Sequence, residues 1–207
     1  MTTGSSVYKF NTKKMVQEIK LHEGSERNKK GQIISYWDGP KDGPKDHINR
    51  RLHTGFGHEV KFKKNKDGTY TNIDPIRDIY GKPITREGQI LSEQVAEDLF
   101  NKDYHYHLKA ASKLPYFTEL SPNRQMSMVN ITFNMGPGWN SKFPKAMKDY
   151  DEAMTATNAA QKANAFYNMG QQLLKYDADD PNSKPSKYVE DTKGRATFVV
   201  ERLINDG

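Results

Sequence analysis

Apolar positions change their spacing along this chain near residue 92, from short mixed runs to a sustained helical period. Before that point, Met15 and Ile19 recur at helical spacing and lead to His22 and Glu23. That pattern predicts a helix over 11–23, with Asn11 or Thr12 as its N-cap and Gly24 as its stop. QIISYW (32–37) is rich in β-branched and aromatic residues and predicts a strand. GPKDGPKD (39–46) is a near-tandem repeat, too short for a repeat architecture, and reads as a loop. Segments 52–62 and 68–73, separated by KNKDG, predict a hairpin with Asp67-Gly68 in its turn.

From Ser92 the period is helical. Ser92 is a candidate N-cap, and Val95, Ala96, Leu99, Phe100, Leu108 and Ala111 carry the apolar stripe. Ser121-Pro122 reads as a cap followed by proline at the first helical position, opening a helix through Met126, Val129 and Phe133 to Gly136. Further helices are expected at about 159–175 and 192–205, separated by the polar loop DADDPNSKPSK (177–187). The expected fold class is α+β: a small antiparallel sheet lobe with one helix over 1–91, and a larger all-helical lobe over 92–207. Together they would form one catalytic domain with a cleft between the lobes, a common ligand site.

Composition narrows the function classes. At 207 residues, 34% hydrophobic and 28% charged, the chain fits a soluble globular protein with one good core. No apolar run approaches a membrane span, and MTTGSSVYKFNTKK shows no Sec-type signal peptide. The absence of cysteine excludes disulfides and thiolate metal sites. The net charge of +6 predicts attraction to polyanions. Short clusters such as KFKKNK (61–66) are interrupted by acids and lack the aromatic–basic interleaving of a single-strand binder. A nucleic-acid partner is therefore not expected.

The candidate chemistry starts at Glu23. A carboxylate on the Met15/Ile19 face has its charged form disfavoured, which suits a general acid; the plain alternative is a helix-end glutamate reaching solvent. Asp38 in YWDGP follows a strand, as either a second, ionised carboxylate or a turn aspartate. In HTGFGH (53–58), alternate glycines strip one strand face of side chains, as happens where a ligand or backbone approaches closely.

Taken in order, these motifs resemble the T-even-phage-type lysozymes, glycoside hydrolase family 24. The resemblance runs through Glu23-Gly24, Tyr36-Trp37-Asp38, Gly55-Phe56-Gly57-His58, the helix opening LSEQVAEDLFNKD (91–103), Phe133 to Gly136, and GRATFVVERL (194–203). It implies a lysozyme-like fold and a muramidase cleaving the β-1,4 bond after N-acetylmuramic acid in peptidoglycan. In that frame Glu23 is the general acid, and Asp38 positions and activates the attacking water. Phe133 and Asn134 contact sugar. Arg195 pairs with the catalytic glutamate, the plain alternative being an exposed helix arginine. His58 and Asp103 form a buried structural pair, preferred to a metal site because the six histidines show no HExxH-like spacing. No metal or organic cofactor is implied, and a monomer is expected. The setting implied is a phage endolysin held in the host cytoplasm until lysis, or a virion lysozyme acting at entry.

The chain departs from the family in spacing. Glu23 and Asp38 stand fifteen positions apart, farther than in the family, and a longer insertion (39–51) follows. Asp42 and Asp46 are therefore alternatives to Asp38. The family's threonine, two residues before the first glycine, falls in register on His53; Thr54 is one residue off, and alternation sends it to the other face unless a bulge intervenes. Register favours His53, as a base or as a nucleophile that would change the stereochemical outcome. Two other classes compete with the enzyme: an inactive lysozyme fold that binds wall glycan, and a basic nucleic-acid-binding module.

Overall fold

The computed structural model describes residues 8–38, 51–180, 182–192 and 194–206. The architecture is α+β, with small antiparallel sheets early in the chain and helices from residue 93 onward. It divides into two compact units: Lys20–Asp103, and the described residues up to Ile19 together with those from Tyr104 onward. The boundaries fall inside helices α1 (Thr12–Glu23) and α2 (Glu93–Ala111).

Helix α1 forms where its pattern predicts. Asn11 Oδ1 accepts from the Lys14 amide, Met15 and Ile19 are fully buried, and Gly24 stops the helix at φ 63°. The strand expected at 32–37 is shorter and later. Ile33 and Ile34 make only single bridges, to Arg27 and Ile90, and β1 is Tyr36–Asp38. The cause is a tight loop just upstream, where Gly31 at φ 76° lets the chain turn back on itself.

The expected strand 52–62 is likewise folded in two. Gly55 and Gly57, both at positive φ, reverse the chain between β2 (Arg51–Thr54) and β3 (His58–Glu59). Strands β1, β2 and β3 form one antiparallel sheet in that order. A separate hairpin joins β4 (Phe62–Lys64) to β5 (Tyr70–Asn72), with Gly68 at φ 84° in the expected turn. Beneath them Ile33, Leu52, Val60, Ile76, Ile84, Leu91 and Ala96 are packed as one core.

Two loops in this unit close identically. Arg27 Nη1 donates to the Gly31 carbonyl at 2.7 Å, and Arg77 Nη1 to the Gly81 carbonyl at 2.8 Å. Asn28 Oδ1 accepts from the amides of Lys30 and Gln32, as Asp78 Oδ1 does from Tyr80 and Lys82. The shared pattern Arg-Asn/Asp-x-x-Gly is an internal structural repeat that the periodicity did not single out.

The helical unit is built on α3 (Pro122–Met135), capped by Ser121 and ended by Gly136 at φ 81°. It packs against α8 (Arg195–Asn205), and α8 packs against α6 (Ala159–Leu174). Three helices have no counterpart in the pattern reading: α4 (Trp139–Lys142), α5 (Pro144–Thr155) and α7 (Lys187–Thr192). Helix α5 opens on Pro144, which suits the first turn because an N–H there lacks an intrahelical partner anyway. No helix among the described residues is long and apolar enough to cross a membrane.

Candidate active site

Strand alternation sorts the sheet into two faces. Tyr36 pairs with His53 and Asp38 with Arg51, whereas Trp37 pairs with Leu52. Residues directly opposite share a face. Tyr36, Asp38, Arg51 and His53 therefore lie on one side, with Glu59 opposite His53. Leu52, Thr54 and His58 lie on the other, with the core.

His53 is fixed tightly on its face. Its ring stacks on Tyr36, with centroids 5.7 Å apart and planes inclined by 29°. Its Nδ1 lies 3.0 Å from the Gly57 carbonyl. A carbonyl only accepts, so Nδ1 carries a proton, and in the neutral form of the ring the lone pair is at Nε2. That Nε2 is buried with no hydrogen-bond partner among the described residues, and it lies 3.9 Å from Asp38 Oδ2.

Glu23 reaches the same face from the end of α1. A Cβ placed on Gly57 would stand 3.2 Å from Glu23 Oε2, so the bare glycine lets the carboxylate pack against the turn. Gly57 has φ 84°, a second reason for glycine there. The Tyr36 phenol is pushed up to about 12 by its burial, then by Asp38 and then by Glu23. One phenol thus lies in the field of both carboxylates. Asp38 itself is well exposed, its side chain at 70%.

Thr54 is fully buried, and its Oγ1 has no hydrogen-bond partner among the described residues. The β1–β2 register runs without a bulge, so Thr54 stays on the core face. On that face His58 Nδ1 donates to Asp103 Oδ2 at 2.7 Å, joining β3 to α2. Asp74, which the sequence reading did not single out, lies 3.7 Å from His58 Nε2 and accepts from the Lys61 amide at 2.5 Å. Asp42 and Asp46 lie outside the described residues. Among the described residues no group of three His, Asp or Glu side chains is arranged to hold a metal ion.

Phe133, Asn134 and Arg195 belong to the helical unit. Phe133 packs on His107, centroids 5.0 Å apart. Asn130 gathers the others: its Oδ1 accepts from Asn134 Nδ2 at 2.9 Å and from Arg195 Nε at 3.0 Å. Its own Nδ2 donates to Glu18 at 3.2 Å, and Arg202 grips Glu18 with both Nη1 contacts at 2.8 and 2.7 Å. Arg195 is 8% exposed, so it is not the exposed helix arginine of the plain alternative. Asn130 carried a usable signal, four residues before Asn134 on one helix. Glu18 and Arg202 carried none, being 184 positions apart.

No protein-family model matches the chain. Over 118 residues it is 25% identical to a probable T4-type lysozyme 2 of Dictyostelium discoideum, covering 55% of this chain and 69% of that one. Among solved structures, the muramidase domain of SpmX from Asticaccaulis excentricus aligns over 96% of this chain and 99% of its own, at 14% identity and a TM-score of 0.49. With ordered motifs, an α+β architecture and a T4-type relative in sequence, the chain is lysozyme-like.

Proposed function

We propose that the chain is a muramidase that hydrolyses the β-1,4 bond between N-acetylmuramic acid and N-acetylglucosamine in bacterial peptidoglycan. The observation that supports it best is the cluster on one face of the small sheet, where Glu23 packs against Gly57 and shares the Tyr36 phenol with Asp38. Glu23 gives a proton to the glycosidic oxygen as the bond from that oxygen to C1 breaks. His53 Nε2, with its lone pair free, takes a proton from the attacking water, and the imidazolium so formed is stabilised by Asp38 at 3.9 Å. The water oxygen bonds to C1 from the opposite side, which inverts the anomer. Attack on C1 by His53 itself would retain it. Phe133 and Asn134 contact sugar in this reading, and the His58–Asp103 bond holds the turn in place. The setting is phage lysis of the cell wall, from within or at entry.

Release of reducing sugar from purified peptidoglycan tests it. Glu23→Gln should lower the rate by about 10²–10⁴-fold, the usual worth of a general acid; full activity in that variant would remove the assignment. His53→Ala should cost far more activity than Thr54→Val, and Asp42→Asn and Asp46→Asn should retain it. The anomer formed first, read by NMR, separates water attack from attack by the imidazole.

A second reading has its own support. Thr54 is buried on the core face and Asp38 is mostly exposed, an arrangement that also suits a glycan-binding protein without turnover. Retention on peptidoglycan with no sugar release at any pH would favour it.

A further inference from the structure

The helical unit contains a pocket of about 560 Å³, within the usual range for small-molecule sites. Its walls are mostly carbon, from Met135, Phe143, Pro144, Ala146 and the ring of Tyr188. Tyr188 is 2% exposed, and burial pushes its phenol up to about 12, so it stays neutral at any physiological pH. The charge on the lining is one-sided: four lysines, at 142, 145, 175 and 187, against Asp191.

Not all of that charge is available. Lys145 pairs with Asp179 at 3.3 Å and Lys187 with Asp191 at 2.9 Å. Lys142 and Lys175 have no carboxylate partner among the described residues. The neutral polar groups of the lining are largely bonded already. Ser186 Oγ donates to the Leu173 carbonyl at 2.5 Å, Thr192 Oγ1 to the Tyr188 carbonyl at 2.7 Å, and Asn134 Nδ2 to Asn130. A sugar or a peptide backbone needs many hydrogen-bond partners and would find few here, chiefly the Gln172 amide and the hydroxyls of Tyr176 and Tyr188. An anionic head with an apolar tail needs only two cations and a carbon wall.

We propose that this pocket binds a single-chain anionic amphiphile, its carboxylate or phosphate head held by Lys142 and Lys175 and its chain laid along Met135, Phe143 and Ala146. The pocket shares Asn134 with the sugar contacts proposed above but includes none of Glu23, Asp38 and His53, and long lysine stems add apolar wall while keeping their ammonium groups hydrated.

Calorimetric titration of the full chain, with each amphiphile below its micelle-forming concentration, tests the proposal. Decyl phosphate or decanoate should bind with one-to-one stoichiometry, and the arm that binds identifies the head group. The double variant Lys142→Glu, Lys175→Glu should weaken that binding at least roughly tenfold, a shift of about 1.4 kcal/mol. Lys142 is exposed and Lys175 half-buried, and circular dichroism should report an unchanged fold. Equal affinity of the variant, equal affinity for decyl maltoside, or equally tight binding of inorganic phosphate would each overturn the proposal. So would tighter binding of the wall tripeptide L-Ala-γ-D-Glu-L-Lys, which would reassign the pocket to peptide.

Discussion

At the scale of single residues, Gly57 separates two effects that are usually confounded. Its φ of 84° makes any L-residue strained, and a Cβ there would stand 3.2 Å from Glu23 Oε2. Gly31 has a similar φ of 76° but open space around its Cβ position. Gly57→Ala and Gly31→Ala should therefore each lose about 1–2 kcal/mol of stability in denaturant unfolding. Only Gly57→Ala should also lose sugar release, by about tenfold or more, because it displaces the carboxylate proposed as the acid. Equal activity losses in the two variants would make the glycines merely conformational. Tyr36 provides a second test, one that depends on charge and not on shape. Its phenol is held near 12 by burial first and then by Asp38 and Glu23, against about 10 in an unfolded chain. Because the folded value is the higher, the associated stability is fully present below about pH 10 and is lost as pH rises towards 12. Phenolate absorbance, taken as wild type minus Tyr36→Phe, should show a late titration that Asp38→Asn moves to lower pH. No movement would mean that the carboxylate acts on something other than this phenol.

At the scale of elements, the close packing of α6 on α8 turns on Gly170. A Cβ there would lie 2.6 Å from Ile204 Cδ1 and 2.8 Å from Val200 Cγ1. Ile204 can swing its terminal methyl, but Val200 is β-branched and stiff. Alanine would gain about 1 kcal/mol of helix propensity, against about 1–3 kcal/mol for overpacking a well-filled core. Gly170→Ala should thus lose roughly 1 kcal/mol by thermal or denaturant unfolding, and a gain would show that the two helices part at no cost. Local signals explain which elements were legible beforehand. Helices α1, α2 and α3 carry their own caps and stops at Asn11, Ser92, Ser121, Gly24 and Gly136, so pattern alone located them. The strands could not be read so closely, because their limits are set by partners elsewhere: Ile34 bridges to Ile90 and β2 ends where Gly55 turns. The site divides in the same way. Alternation was enough to put His53 and Thr54 on opposite faces, and helical spacing put Glu23 near the apolar stripe. Asp74 beside His58, and Glu18 under Arg202, depend on contacts across long stretches of chain that no period encodes.

At the scale of the whole molecule, the excess of six positive charges should govern encounter with the wall and leave the bond-breaking step alone. The exposed cations are not evenly placed. Lys63, Lys64 and Lys66 project from the β4–β5 hairpin with no carboxylate partner among the described residues, whereas neighbouring Lys61 is tied to Glu59 at 3.2 Å. Bacterial envelopes carry phosphates and carboxylates, so attraction to them depends on ionic strength through a screening length of about 8 Å at physiological salt and about 3 Å at 1 M. If the chain is a muramidase, its rate on whole walls should fall steeply between those conditions. Its rate on short uncharged glycan fragments should stay nearly flat, because the chemistry proposed for Glu23 and His53 operates at contact distance, inside the screening length. Replacing Lys63 and Lys64 by glutamate should flatten the salt response on walls while leaving fragment hydrolysis unchanged, since neither residue belongs to the cluster around Gly57. An identical salt slope in that double variant would show that the hairpin takes no part in steering. A salt response on neutral fragments as steep as that on walls would place the effect in the active site itself.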